Sequence, residues 1–290
     1  MAQISLQAAT RFPTGMRANL SWRLDLLYMK SEKLRAIVTR ESAKKILFSE
    51  KPEWADEIRR GFWRMPHQVD FGKITEDSYR RYDIVVPLSL SELEVARRHC
   101  PPENCALPLP SAGAVKLCED KYEFNRVLIK AGFGRYIPTM GAGLATPYIL
   151  KKRIGEWGKD CYLILNSSDE EKHLHLIQDP RYFCQQMVLG TREFATHILF
   201  TGGKIVKALN IRYEFTGAAP IKGQDKELFQ TISGCPYLGL FARILRTIEY
   251  EGLCCVNYKV ANGEPLLLEI NPRFGGSLAP YFFSFVRHLR

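Results

Sequence analysis

This 290-residue sequence contains no run of the roughly 18 to 20 apolar residues that a membrane-crossing helix needs, so neither a helical membrane protein nor a membrane partner is expected. Its eight cysteines include no CxxC pair and follow no secretory signal, which argues against a zinc ribbon or a disulfide scaffold. Free thiols in a reducing cytoplasm are the expectation, with adjacent Cys254 and Cys255 as small buried hydrophobes on opposite faces of a strand. Also missing are a GxGxxG after the first strand, a GxSxG elbow and a catalytic-cysteine motif, so the dinucleotide oxidoreductases and the common serine and cysteine hydrolases are set aside. There is no internal repeat and no low-complexity tract. No acid precedes Asp25 although Arg11, Arg17 and Arg23 do. Organellar transit peptides share that composition, but a strand-and-helix reading explains the same segment and is the expectation.

What is present is ordinary globular material: 46% hydrophobic and 25% charged residues, enough apolar surface to offset the entropy of ordering. The length suits two or three packed units with a cleft between them. A formal charge of +10 favours anionic partners in general. Basic clusters interleaved with aromatics are lacking, so nucleic acid is not the expected ligand.

Along the chain, a strand is predicted over residues 3–9, a loop over 10–15 and a helix over 16–28 with Leu20, Leu24 and Leu27 at helical spacing. Residues 34–39 are β-branched enough to predict a second strand. Residues 45–49 suggest a strand, 53–62 a helix and 61–71 an aromatic loop. The apolar run Ile84, Val85 and Val86, closed by Pro87, reads as a buried parallel strand. Ser91 with Glu94 forms a capping box that opens a helix, and the proline-rich stretch 100–110 reads as a linker. This alternation predicts an open α/β domain over 1–110. Beyond it the pattern becomes α+β: helices over 112–132 and 236–250, and strands over 148–151, 162–165, 183–188, 194–200, 204–211, 254–260 and 265–270. The last two strands are joined by Asn262-Gly263, a strong hairpin signal.

The sharpest local feature is Leu266-Leu267-Leu268-Glu269-Ile270-Asn271-Pro272-Arg273-Phe274-Gly275-Gly276-Ser277. Alternation along a strand sends Glu269 and Asn271 to one face. A carboxylate beside an amide oxygen suits Mg²⁺, and Arg273 on the same spacing suits a transferring phosphoryl group. Taken alone, the run is equally a strand end whose Asn-Pro turns the chain.

In context the run resembles the metal-binding strand of the ATP-grasp superfamily. Asp120-Lys121 resembles the family's entry into its nucleotide unit, with Lys121 on phosphate. Pro147-Tyr148-Ile149-Leu150-Lys151 resembles its lysine-bearing strand, with Lys151 reaching the α- and β-phosphates. Gly155-Glu156-Trp157-Gly158-Lys159 resembles its phosphate-covering loop, glycine allowing amides to approach phosphate. Gln185, Gln186, Met187 and Val188 resemble its adenine hinge, Glu193 its ribose ligand and Asn257 its first metal ligand.

The resemblance covers residues 111–290, including a mobile lid over about 139–187. It implies a preATP-grasp domain over 1–110, ATP and Mg²⁺ as cofactors, and a homodimer as the suggested assembly. The implied activity is a carboxylate-amine ligase acting through an acylphosphate. Arg273 and Lys151 would be its catalytic residues, and its partners a small carboxylate and an amine. Three positions depart from the family's usual residues: Lys152 for proline, Gln185 for glutamate and Asn257 for an acid or glutamine. A neutral Asn257 leaves less negative charge for metal.

An ATP-grasp phosphotransferase or carboxylase and a non-catalytic nucleotide-binding regulator are the alternatives. Four further side chains stay open between function and structure. His173 and His175, alternating on a predicted strand, are metal ligands or solvated surface. His197 and Arg212 face the cleft or the core, and Arg11 touches substrate or solvent.

Overall fold

The computed structural model describes residues 14–101, 105–155 and 158–289. The strand predicted over 3–9 and Arg11 lie outside them. The chain opens with helix α1 (Thr14–Val38), then β1 (Lys45–Phe48), α2 (Pro52–Phe62), β2 (Gln68–Phe71), α3 (Ser78–Arg81), β3 (Ile84–Val86) and α4 (Leu90–His99). The three strands form a parallel sheet in the order β2-β1-β3. Their apolar faces are buried on both sides, as Ile46, Phe48, Ile84 and Val86 show for one face and Leu47 and Val85 for the other.

Three expectations for this part are corrected. Residues 34–38 belong to α1 rather than to a strand. Their β-branched Ile37 and Val38 are exposed, while Tyr28, Glu32 and Ala36, four apart, carry the contact with the body. The aromatic loop over 61–71 contains β2, drawn into extended form by pairing with β1. The cap of α4 is Ser89, whose hydroxyl accepts from Glu92 N, two residues before the predicted box.

Helices α5 (Ala112–Glu119) and α6 (Lys121–Leu128) replace the single helix predicted over 112–132. Asp120 divides them, because its extended backbone and its carboxylate, accepting from Glu123 N, start a new helix. An antiparallel sheet follows in the order β5-β4-β6, built from β4 (Tyr148–Lys152), β5 (Cys161–Ile164) and β6 (Tyr182–Gln186), with α7 (Ser167–Ile177) between β5 and β6. His173 and His175 lie on α7, not on a strand. Asn166 caps that helix by accepting from Asp169 N.

The largest sheet is antiparallel, in the order β11-β10-β7-β8-β9: β7 (Arg192–Thr201), β8 (Lys204–Glu214), β9 (Phe229–Ser233), β10 (Gly252–Ala261) and β11 (Glu264–Asn271). Helix α8 (Leu238–Thr247) precedes β10 and buries Phe241, Ile244 and Leu245. Strand β9 was not anticipated. The Asn262-Gly263 turn joins β10 to β11 with both residues at positive φ, 52° and 78°, as the predicted hairpin requires.

A short 3₁₀ turn (Gly276–Tyr281) and α9 (Phe283–Val286) end the chain against the first sheet. Phe48 meets Phe274 and Phe282 with ring centroids at 6.3 and 5.5 Å. Gly61 of α2 lies so close to Pro280 that a Cβ there would stand 2.5 Å from its carbonyl oxygen. The thiol expectation holds for six described cysteines, whereas Cys100 and Cys105, with Cα atoms 6.0 Å apart, are joined in a disulfide. Among the described residues no helix is long and apolar enough to cross a membrane.

Candidate active site

One cavity of about 430 Å³ opens between the two antiparallel sheets and is reached by the first sheet through Trp54 of α2. That volume falls within the usual range for small-molecule sites. Each strand contributes by alternation. Strand β4 sends in Ile149 and Lys151, β7 sends in Glu193 and His197, β10 sends in Cys255, Asn257 and Lys259, and β11 sends in Glu269 and Asn271.

The predicted metal set meets at one carboxylate. Asn257 Nδ2 donates to Glu269 Oε1 at 3.0 Å, Asn271 Nδ2 donates to the same oxygen at 2.9 Å, and Lys121 Nζ stands 3.4 Å from Oε2. Burial alone would raise the Glu269 carboxyl. Lys121, Asn271, Lys151 and Asn257 outweigh it and hold the group below its ordinary value, so it is ionised. Lys121 owes its place to α6, where it is the first helical residue after the Asp120 cap, and its Nζ also donates to Gly155 O at 2.5 Å.

Lys151 is 7% exposed and donates to Gln185 Oε1 at 2.9 Å, and Gln185 Nε2 donates to Pro138 O at 3.3 Å. Burial draws the Lys151 ammonium below its ordinary value. Arg273 is also buried and lines the cavity. Gln186 ends β6, and Met187 and Val188 follow it as the connection to β7, all three on the cavity wall. Glu193 is buried and raised by that burial, against the pull of Lys222 and Lys259. Gly155 and Gly158 border the opening. Gly158, at φ 65°, leaves no room for a side chain, since a Cβ would meet Lys222 O at 2.8 Å. Trp157 lies outside the described residues.

Of the open candidates, His197 lines the cavity, while His173, His175 and Arg212 do not. His173 bonds its own helix, Nδ1 to Asp169 O at 2.9 Å, and lies over Tyr162. Among the described residues no group of three or more His, Cys, Asp or Glu is arranged to hold a metal ion. The set available to a hard cation is therefore one carboxylate and two amide oxygens. These suit Mg²⁺ by donor type and supply a single negative charge.

Sequence reading missed Lys222, Lys259, Tyr213, Trp54, Gln230 and Ser277. Lys259 was within reach, being two residues from Asn257 on the same strand face. Its Nζ donates to Val188 O at 3.2 Å and Pro220 O at 3.4 Å, tying the connection before β7 to the β8–β9 loop. The others depend on which loops and strands meet. In total seven cationic and four carboxylate side chains line the cavity, an imbalance that favours a polyanionic occupant.

No family profile and no curated protein sequence matches this chain. Solved structures do. Phosphoribosylamine–glycine ligase from Thermotoga maritima superposes with a TM-score of 0.63 at 16% identity, covering 84% of this chain and 75% of its own. D-alanine–D-alanine ligase from Bacillus anthracis gives 0.54 at 12%, covering 82% and 88%. N5-carboxyaminoimidazole synthetase from Staphylococcus aureus, complexed with ADP, gives 0.53 at 14%, covering 81% and 71%. The chain shares its mixed α/β fold with these ligases.

Proposed function

We propose that this chain is an ATP-dependent carboxylate-amine ligase. One observation carries the reading: Glu269, gripped by Lys121, Asn257 and Asn271, shares a cavity with Lys151 and Arg273. ADP- and ATP-bound neighbours of the same fold support it. In this reading residues 1–110 are the preATP-grasp domain and 111–290 the ATP-grasp domain, whose lid spans about 139–187.

The adenine lies along Gln185 to Val188, Glu193 takes the ribose hydroxyls, and Lys121 and Lys151 neutralise phosphate. Asn257, Glu269 and Asn271 would hold Mg²⁺, which would supply charge stabilisation during phosphoryl transfer. With only one carboxylate in that set, the triphosphate provides most of the charge that holds the ion. Arg273 steadies the phosphoryl group as it passes to the substrate carboxylate. An amine then displaces phosphate to form the amide. The protein acts by positioning and by excluding water, because phosphoryl transfer asks for little covalent help. Gly155, whose carbonyl accepts from Lys121, and Gly158 stand where a cover for the acylphosphate is needed.

The test is a screen for ADP release over amino acids, dipeptides and other small carboxylates with pooled amines, with products read by mass spectrometry. The reading expects ADP in step with an amide. Stable phosphorylated acid without amide would replace it with a phosphotransferase, and ATP binding without any ADP release with a regulator.

A further inference from the structure

Helix α1 carries an apolar face that the body of the protein does not use. Tyr28, Glu32 and Ala36 face the body, whereas Leu24, Leu27, Leu34, Ile37 and Val38 stand 47 to 73% exposed on the other side. Helical spacing places Leu24, Leu27, Leu34 and Val38 along one stripe. Trp63, just past α2, joins the rim. Lys33 Nζ of α1 donates to its carbonyl at 2.7 Å, and the Arg64 guanidinium lies 4.1 Å over its ring. Thirteen large apolar side chains are exposed among the described residues, and six of them are these, so the patch is a concentration rather than scatter.

Charge on the same stretch is segregated. Residues 23–41 contain three acids, and each is turned to the body. Asp25 accepts from Ile232 N at 2.8 Å, Glu32 pairs with Lys207 and Arg287 at 3.2 and 2.7 Å, and Glu41 Oε1 stands 3.4 Å from His67 Nε2. Arg23, Lys30, Arg40 and Arg35, which also reaches Glu32 at 3.3 Å, are exposed, as is Arg64 beside Trp63. An apolar ridge rimmed by positive charge fits an occupant that is apolar and anionic at once.

Other occupants match one property and not both. A two-fold pairing of this face with itself brings like charges together. RNA answers the cations but leaves five aliphatic side chains in water. An anionic lipid surface answers both, and a tryptophan with an arginine at the rim is the side-chain set found at the level of lipid headgroups.

We propose that this outer face of α1, with Trp63 and Arg64 at its rim, docks the protein on an anionic lipid surface. The helix lies in the plane of the surface, and its leucines, Ile37 and Val38 enter the boundary between headgroups and acyl chains. Arg23, Lys30, Arg35, Arg40 and Arg64 meet the anionic headgroups. The lack of an apolar run long enough to span a bilayer excludes a crossing helix, not one that lies in the interface. The docking is independent of what the cavity binds.

The test is sedimentation of the full chain with vesicles of two parts phosphatidylcholine to one part phosphatidylserine, and with vesicles of phosphatidylcholine alone. Saturable binding to the mixed vesicles, weak binding to the neutral ones and release by about 0.5 M salt are expected. L34Q/I37Q should bind at least about tenfold more weakly, because two inserted side chains are lost. K30Q should bind about fivefold more weakly, the worth of one basic residue at such a surface. These positions are exposed, so melting temperatures should stay near that of wild type, and K30Q keeps the comparison open if the double variant folds poorly. Wild type that ignores the mixed vesicles overturns the proposal, as does equal binding by wild type and both variants. So does a dimer that L34Q/I37Q dissociates while vesicles are ignored, which gives the face to a second copy. Binding of poly(U) RNA or polyglutamate in preference to the mixed vesicles likewise overturns it, in favour of nucleic acid or an acidic protein.

Discussion

Asn257 and Glu269 face each other across the β10–β11 pair, and the amide donates to the carboxylate at 3.0 Å. Asn271 reaches the same oxygen from two residues along β11, and Lys121 takes the other oxygen from α6. Three neutral or cationic groups thus converge on one half-buried anion. Replacing it with an isosteric amide should leave the fold and stop the chemistry. E269Q is expected to lower ADP release by at least about 10²-fold, as measured for lost transition-state charge stabilisers. An unchanged rate with native circular dichroism would remove Glu269 from the mechanism.

Lys151 is a buried ammonium whose main local compensation is Gln185. Exchanging it for methionine removes a desolvation cost along with one hydrogen bond, so the ligand-free protein should change by no more than about 2 kcal/mol. Nucleotide at a hundredfold excess over its Kd stabilises a protein by about 2.7 kcal/mol. K151M is expected to melt close to wild type alone and to lose most of the nucleotide-induced rise in Tm. A full rise in K151M would show that Lys151 does not touch phosphate.

Burial pushes His197 down to about 3, with Lys222 reinforcing the shift. The unfolded chain, with an ordinary histidine near 6.5, therefore binds the proton more readily than the native one across that interval. Stability from this group is complete above pH 6.5 and falls as pH drops toward 3, by about 1.4 kcal/mol per unit. Denaturation midpoints between pH 6.5 and 4.5 should fall more steeply for wild type than for H197Q. Parallel profiles would contradict a neutral buried imidazole.

Gly61 lets α2 touch the C-terminal turn, with no space for a methyl group against Pro280. G61A should cost about 1–3 kcal/mol by overpacking. It should also loosen the placement of Trp54, seven residues earlier on the same helix. A melting temperature equal to wild type would mean that this contact is slack.

Short-range chemistry explains why the later half was more legible than the start. The β10–β11 hairpin was readable because its turn and its alternation are local, and alternation alone put Glu269 beside Asn271. The division of α5 from α6 at Asp120 was not legible, since apolar periodicity runs on through 112–132. Residues 34–38 misled because Ile37 and Val38 carry strand preference, while the burial of Tyr28, Glu32 and Ala36 holds that segment helical. The two histidines of α7 alternate in sequence as a strand would, but the Asn166 cap decides for helix.

Composition, alternation and turn residues by themselves determined that the chain would be a mixed α and β protein, and that an acid and an amide would project from the same face of a strand near its carboxyl end. Only the tertiary structure decided that Lys222 and Lys259 enter the cavity, that Lys121 is the cation on Glu269, and that His197 and Ser277 meet. The physical reason is that a side chain's direction along a strand follows from backbone geometry over a few residues. Its partners across a cavity follow from how separate sheets and loops pack, and no local pattern records that.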